Sequence, residues 1–254
     1  MLFDKAHIIY MLTSLIVTVG LLLCCKFFIK QEKFKNLVLK ISAILTVVIH
    51  FSSLYVDYFS TGKAEIASTM LLPIYPCNIA MWMLVICAFC KNKKAKWFSY
   101  FAEFTFYLGV VGGIIGIAFN EIYIGNPTLA SWGVLKGLLS HSVMLFGCIY
   151  LLVGGYIKIR VKNVISVTFG LIFMILDGAV IIGLFKLCKL DPPNAMYLLE
   201  KPFPQFGWIN SLTIGIFALL LTFAITAIYE AVKLPKEERW YNKLKSLKKN
   251  KGDK

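Results

Sequence analysis

Apolar residues in this chain come in long unbroken blocks, not at the short period of an amphipathic helix or strand. Seven blocks stand out: His7–Cys25, Leu37–Phe59, Met70–Cys90, Trp97–Phe119, Ser131–Ile157, Val164–Phe185 and Gly207–Ala231. Each is about 20 residues or a little more, the length at which a helix crosses the ~30 Å hydrocarbon layer of a bilayer. The pattern predicts an all-α polytopic membrane bundle of seven transmembrane helices over residues 1–232, followed by a polar tail over 233–254.

Composition points the same way. Of 254 residues, 59% are hydrophobic and 16% charged, with a mean hydropathy of +0.75; soluble domains carry about 25% charged residues. A soluble enzyme, a secreted disulfide module and a disordered tail are excluded. Six of the seven cysteines fall within or at the ends of the apolar blocks and behave as small apolar fillers. Only Cys188 lies in a connecting loop, so no disulfide framework is read.

A formal charge of +14 spread over a compact surface would suggest nucleic acid. Here the charge is segregated. Lys26, Lys30, Lys33, Lys35 and Lys40 follow the first block, and Lys91, Lys93, Lys94 and Lys96 the third. Lys158, Arg160 and Lys162 follow the fifth, and nine more basic residues run from Lys233 to Lys254. Every second connection is basic, which predicts an outside amino terminus and a cytoplasmic carboxyl terminus. The tail reads as a segment drawn to anionic lipid, with no nucleic-acid partner. The first block lacks a basic leader, and Leu21, Leu22 and Leu23 precede Cys24 where a lipoprotein signal needs a small residue; it is read as a retained span.

In the fourth block Gly109, Gly112, Gly113 and Gly116 form small-xxx-small patterns. Such a face presses backbone against another helix of the chain, or against a second copy in a homo-oligomer.

Ionisable groups inside hydrocarbon are costly, so each is a functional candidate. His50 falls in the middle of the second block and Asp57 near its outer end. Cys77 and Asn78 lie shortly inside the third, Ser140 and His141 about ten residues into the fifth, and Asp177 in the outer half of the sixth. Asn120 and Glu121 end the fourth on the same side, whereas Glu103 and Glu230 read as boundary charges at the inner side. A single buried histidine or cysteine is usually a hydrogen-bond partner or a filler. A thiol, two imidazoles and two carboxylates at one depth are what a buried polar site requires.

The third block opens Leu72-Pro73-Ile74-Tyr75-Pro76-Cys77-Asn78. Two prolines three residues apart remove backbone donors and crowd the preceding turn, which predicts a kinked or unwound approach to Cys77. Irregular backbone at membrane depth persists only where protein or a water-lined cavity satisfies it. A helix beginning there favours a thiolate, and a histidine such as His141 is the usual base for a cysteine nucleophile.

The stretch LPIYPCNIAMW resembles the Leu-Pro-Leu-x-x-Cys signature of the YwaF-like integral membrane proteins, related to eukaryotic transmembrane protein 164. The resemblance continues through Gly116–Asn120, Ser140-His141 and the segment Asn194-Ala195-Met196-Tyr197-Leu198, and spans most of residues 50–215. It departs at Tyr75-Pro76, where the family often carries a histidine. The resemblance implies transfer of a fatty acyl group between phospholipids, with Cys77 as nucleophile and His141 as its partner. In that reading Asp177 or Asp57 orients an imidazole and His50 is the alternative base. Asn78, Asn120 or Asn194 faces the developing oxyanion, and Tyr197 supports the site. The partners would be phospholipids or lysophospholipids in a bacterial plasma membrane, with no cofactor and no metal. Two other readings stay open: a proton-coupled small-molecule transporter using Asp177 and His141, and a non-catalytic lipid-binding subunit.

Overall fold

The computed structural model describes residues 3–62, 68–125, 128–201 and 207–242, and every regular element among them is helical. Nine α-helices follow in order: α1 Lys5–Phe28, α2 Glu32–Thr61, α3 Ser68–Leu71, α4 Pro76–Phe89, α5 Lys96–Ala118, α6 Glu121–Gly125, α7 Trp132–Val153, α8 Val164–Leu187 and α9 Ser211–Lys233. Single 3-10 turns sit at Val161–Asn163, Ala195–Tyr197 and Lys236–Glu238.

Six of these elements are long and apolar enough to cross a membrane: Lys5–Phe28, Glu32–Ser60, Lys96–Gly125, Trp132–Val153, Val161–Leu187 and Ser211–Lys233. They match six of the seven apolar blocks. The block Met70–Cys90 is different. Its continuous helix, α4, has 14 residues, about 21 Å of rise, and falls short of the hydrocarbon thickness by itself. The reason lies in the two prolines, which stop α3 at Leu71 and restart the helix at Pro76.

α7 is the hub, packing against α1, α2, α4 and α5, while α8 leans on α5 and α9 on α8. Cys148 and Leu151 of α7 are buried in one cluster with Ile79 and Leu84 of α4 and Phe104 and Phe106 of α5, and Leu138 and Leu145 in a second with Ile117 of α5 and Tyr123 of α6. The outer helices expose apolar surface along their length. Ile16 on α1, Phe169 on α8, and Leu212 and Phe217 on α9 are all 66–69% exposed. An apolar mantle this continuous is stable against lipid tails and not against water, so the chain is a multi-pass membrane protein.

The two ends of the bundle are tied by polar groups. Asp4 caps α1, accepting from the His7 amide at 3.0 Å. The Tyr123 hydroxyl donates to both Asp4 oxygens, at 2.7 and 2.8 Å. The His7 amide chiefly, then the Tyr123 hydroxyl, hold the Asp4 carboxyl well below the usual range, at about 2. His7 is fully buried, donates Nε2 to the Ile117 carbonyl at 2.8 Å and stacks on Tyr123. It therefore locks α1 onto the α5–α6 corner. At the lysine-rich end, Glu230 accepts from the Val161 amide at 2.7 Å and the Trp240 amide at 3.1 Å. The boundary charge expected there is a clamp that joins the end of α9 to the connection before α8.

The glycine face of α5 is used within the chain. A β-carbon on Gly109 would overlap the Cys148 thiol, one on Gly116 would overlap the His141 ring, and one on Gly113 would come within 3.0 Å of Leu145. All three neighbours are on α7, and Gly112 faces open space. Gly109→Ala should therefore force α5 from α7 and cost about 1–3 kcal/mol, typical of overpacking, whereas Gly112→Ala should be neutral. Thermal unfolding in detergent reads the difference; equal midpoints for the two variants would contradict this packing.

Candidate functional site

The site begins with the break before α4. Tyr75 is extended (φ −115°, ψ 156°), Pro76 is the first residue of the helix and Cys77 the second. A proline at that position loses nothing, because the first amides of a helix have no internal acceptor. The break itself must be satisfied elsewhere. The Ile74 amide donates to the Leu72 carbonyl at 2.8 Å, and the Ile74 carbonyl accepts from the Met196 amide, also at 2.8 Å.

Met196 belongs to the 3-10 turn before α9, in the segment that sequence comparison singled out. Met196 and Tyr197 both adopt left-handed backbone (φ +51° and +56°), unusual for residues with a β-carbon. The turn is held by its surroundings. Asn194 accepts through Oδ1 from the Leu199 and Glu200 amides, each at 3.0 Å. The Ser211 hydroxyl bridges the Met196 and Tyr197 carbonyls at 2.8 and 2.7 Å. The Tyr197 ring leans on Tyr75, centroids 5.5 Å apart. The loop thus braces the approach to Cys77.

Behind the brace lies a cavity of about 30 Å³ lined by Thr46 and His50 of α2, Cys77, Asn78 and Met81 of α4, and Ser140, His141 and Met144 of α7. That is room for a water or two. The Cys77 thiol donates to Asn78 Oδ1 at 3.6 Å. His141 Nδ1 donates to the Gly137 carbonyl at 2.7 Å and His50 Nε2 to the Met70 carbonyl at 3.2 Å. A carbonyl only accepts, so each neutral ring keeps its lone pair on the other nitrogen: Nε2 of His141 and Nδ1 of His50. Gly116 lies flat beneath the His141 ring and fixes its position. The arrangement offers a nucleophile, two candidate bases and an amide beside the thiol.

Of the residues the sequence nominated, Cys77, Asn78, His50 and His141 line this cavity together with Ser140. Asp57, Asn120, Asp177, Asn194 and Tyr197 do not. Asp57 is exposed near the end of α2 and Asp177 is half-buried on α8. Asn120 is buried but committed to structure: it accepts from the Tyr123 amide at 3.0 Å and donates to the Gly116 carbonyl at 3.4 Å. Asn194 organises its own loop, and the Glu121 side chain lies outside the described residues. Among the described residues no group of three His, Cys, Asp or Glu is placed to hold a metal ion.

Sequence reasoning missed Thr46, Met81 and Met144. Each stands four residues from a nominated neighbour: Thr46 from His50, Met81 from Cys77, Met144 from Ser140. Residues four apart share a helix face, so that spacing was the available signal.

The family model of the TMEM164 family matches residues 2–229. Comparison with curated proteins and with solved structures gave no match.

Because Asn120 caps α6 and stands apart from the cavity, Asn120→Ala should lower stability by about 1 kcal/mol and leave the alkylation rate of Cys77 unchanged. Asn78→Ala should change that rate. Maleimide kinetics on variants retaining Cys77 as their one cysteine check both; a shifted rate in Asn120→Ala would tie that residue to the site after all.

Proposed function

The chain belongs to the TMEM164 family, and from that membership and the cavity we propose that it is a membrane acyltransferase working through a Cys77 thioester. The observation that carries the reading is the meeting of Cys77, His50 and His141, from three helices, in one cavity. Cys77 stands at the second position of α4, in the first turn of the helix.

In the first half-reaction the His141 Nε2 takes the thiol proton and the Cys77 sulfur attacks the carbonyl carbon of a phospholipid ester. Asn78 stands nearest to stabilise the oxyanion through its amide hydrogens. Collapse of the tetrahedral intermediate breaks the ester C–O bond. The departing lysolipid oxygen takes the proton from His141, and the acyl group stays on Cys77. In the second half-reaction a lysolipid hydroxyl gives its proton to His141 and attacks the thioester. The C–S bond breaks, and the departing sulfur takes the proton back from His141, which restores the thiol and the neutral imidazole. His50 is the second base within the same cavity.

In this proposal the protein sits in a bacterial plasma membrane and crosses it seven times, amino terminus outside and carboxyl terminus cytoplasmic. The third crossing joins α4, about 21 Å long, to the irregular residues 72–75 that precede it. Residues 1–232 then form the membrane domain and 233–254 the basic cytoplasmic tail.

Two measurements test these statements. Protein in phospholipid nanodiscs with labelled lysolipid should transfer label, with a thioester adduct on Cys77 by mass spectrometry. Cys77→Ala should abolish transfer and His141→Ala should reduce it by at least 100-fold, the scale of a lost general base. Well-folded wild type that transfers no label from any lipid class would defeat the proposal. For topology, a chain keeping Cys188 as its one cysteine should react with impermeant maleimide in intact cells. Labelling only after lysis would reverse the orientation.

A further inference from the structure

At the lysine-rich end, far from Cys77, a second cavity of about 340 Å³ opens between the start of α5 and the connection from α7 to α8. It is large enough to seat a head group. Its wall includes Ser99, Glu103, Tyr156, Lys158, Arg160 and Lys162.

The wall is more specific than a set of topology-determining lysines. Lys158 and Lys162 are exposed at its rim. Arg160 is half-buried; one guanidinium nitrogen, Nη2, donates to Glu238 at 3.5 Å, and Nη1 is buried with no hydrogen-bond partner among the described residues. Glu103 is 1% exposed. Its Oε1 accepts from the Asn163 side-chain amide at 2.7 Å and the Ser99 hydroxyl at 3.1 Å, and its Oε2 is buried without a partner among the described residues. Buried polar groups are normally paired, and an orphan charged one is costly. A guanidinium donor and a carboxylate acceptor left over in the same cavity therefore define complementary needs. Three cations suit a phosphate, which arginine grips through its fork. A carboxylate beside them would repel a bare phosphate, so the same ligand must also present a hydrogen-bond donor.

We propose that this cavity binds a phosphodiester head group carrying a hydroxyl or ammonium: Lys158, Arg160 and Lys162 hold the phosphate, and Glu103 accepts from the donor. The ligand chemistry is that of a donor-bearing glycerophospholipid of the adjacent leaflet or of a soluble glycerophosphate ester. The site is independent of the Cys77 reaction and stands whether or not that reaction occurs.

The test uses the full-length protein in detergent and native mass spectrometry. The probes are short-chain phosphatidylglycerol, which bears donors; short-chain phosphatidylcholine, which bears none; and soluble glycerophosphoglycerol, the same phosphodiester without acyl chains. Phosphatidylglycerol should bind at least tenfold more tightly than phosphatidylcholine. The exposed pair Lys158→Gln/Lys162→Gln, which leaves the packing intact, should weaken it at least tenfold. Glu103→Gln should narrow the preference between the two lipids, and Cys77→Ala should change nothing. Glycerophosphoglycerol binding as tightly as the lipid would assign the site to the soluble ester; much weaker binding assigns it to the bilayer. Equal binding of both lipids, indifference to the lysine pair, or loss on Cys77→Ala would overturn the proposal.

Discussion

A buried backbone carbonyl has no water to turn to, and one such carbonyl governs this structure. The break that Pro73 and Pro76 impose leaves Ile74 outside any helix while its side chain is fully buried. Its carbonyl is satisfied by the Met196 amide, more than a hundred residues away in sequence. A buried peptide group left without a partner costs about 2–7 kcal/mol. The left-handed turn that delivers Met196 is tolerated because the bond it makes offsets its strain. From this contact the start of α4 is set, and with it the position of Cys77 relative to α2 and α7.

The rest of the bundle holds that geometry. α7 packs on four helices and contributes Ser140, His141 and Met144 to the cavity, so a shift of α7 moves base and wall together. Gly116 lets α5 approach closely enough to seat the His141 ring. The helices at the edge, α1 and α9, are fixed at their ends, by Asp4, His7 and Tyr123 on one side and by Glu230 on the other. Along their length, Tyr10 and Ser14 of α1 hydrogen-bond Ser142 of α7, and Thr226 of α9 hydrogen-bonds Tyr107 of α5.

Most of the fold was legible in the sequence. Long apolar blocks mark spanning helices because no other backbone arrangement except a closed barrel survives in lipid. Six blocks became six long helices. The break before Cys77 was legible too, since proline chemistry is local. Depth read along each helix grouped Cys77, Asn78, His50 and His141, and the structure places these four around one cavity. Depth says nothing about azimuth, however. Asp57 and Asp177 were read into the same layer but do not line the cavity. Asn120 and Asn194 are consumed by capping and loop bonds that depend on distant segments. The Met196 bond to Ile74 joins residues no periodicity connects, so only the segment's resemblance to a known signature hinted at its weight.

The small volume beside Cys77 also bears on what an acyl-enzyme there would become. A thioester is shared between two competing acceptors, a lipid hydroxyl and water, and its fate is a partition ratio set by which one reaches the carbonyl. The cavity walls, Met81 and Met144 among them, leave space for a water or two. In the proposed reaction, so small a space would slow hydrolysis by scarcity, and an incoming lipid would displace the little water present. A wider, wetter chamber around the same thioester would favour the lipase outcome over the passing on of acyl chains.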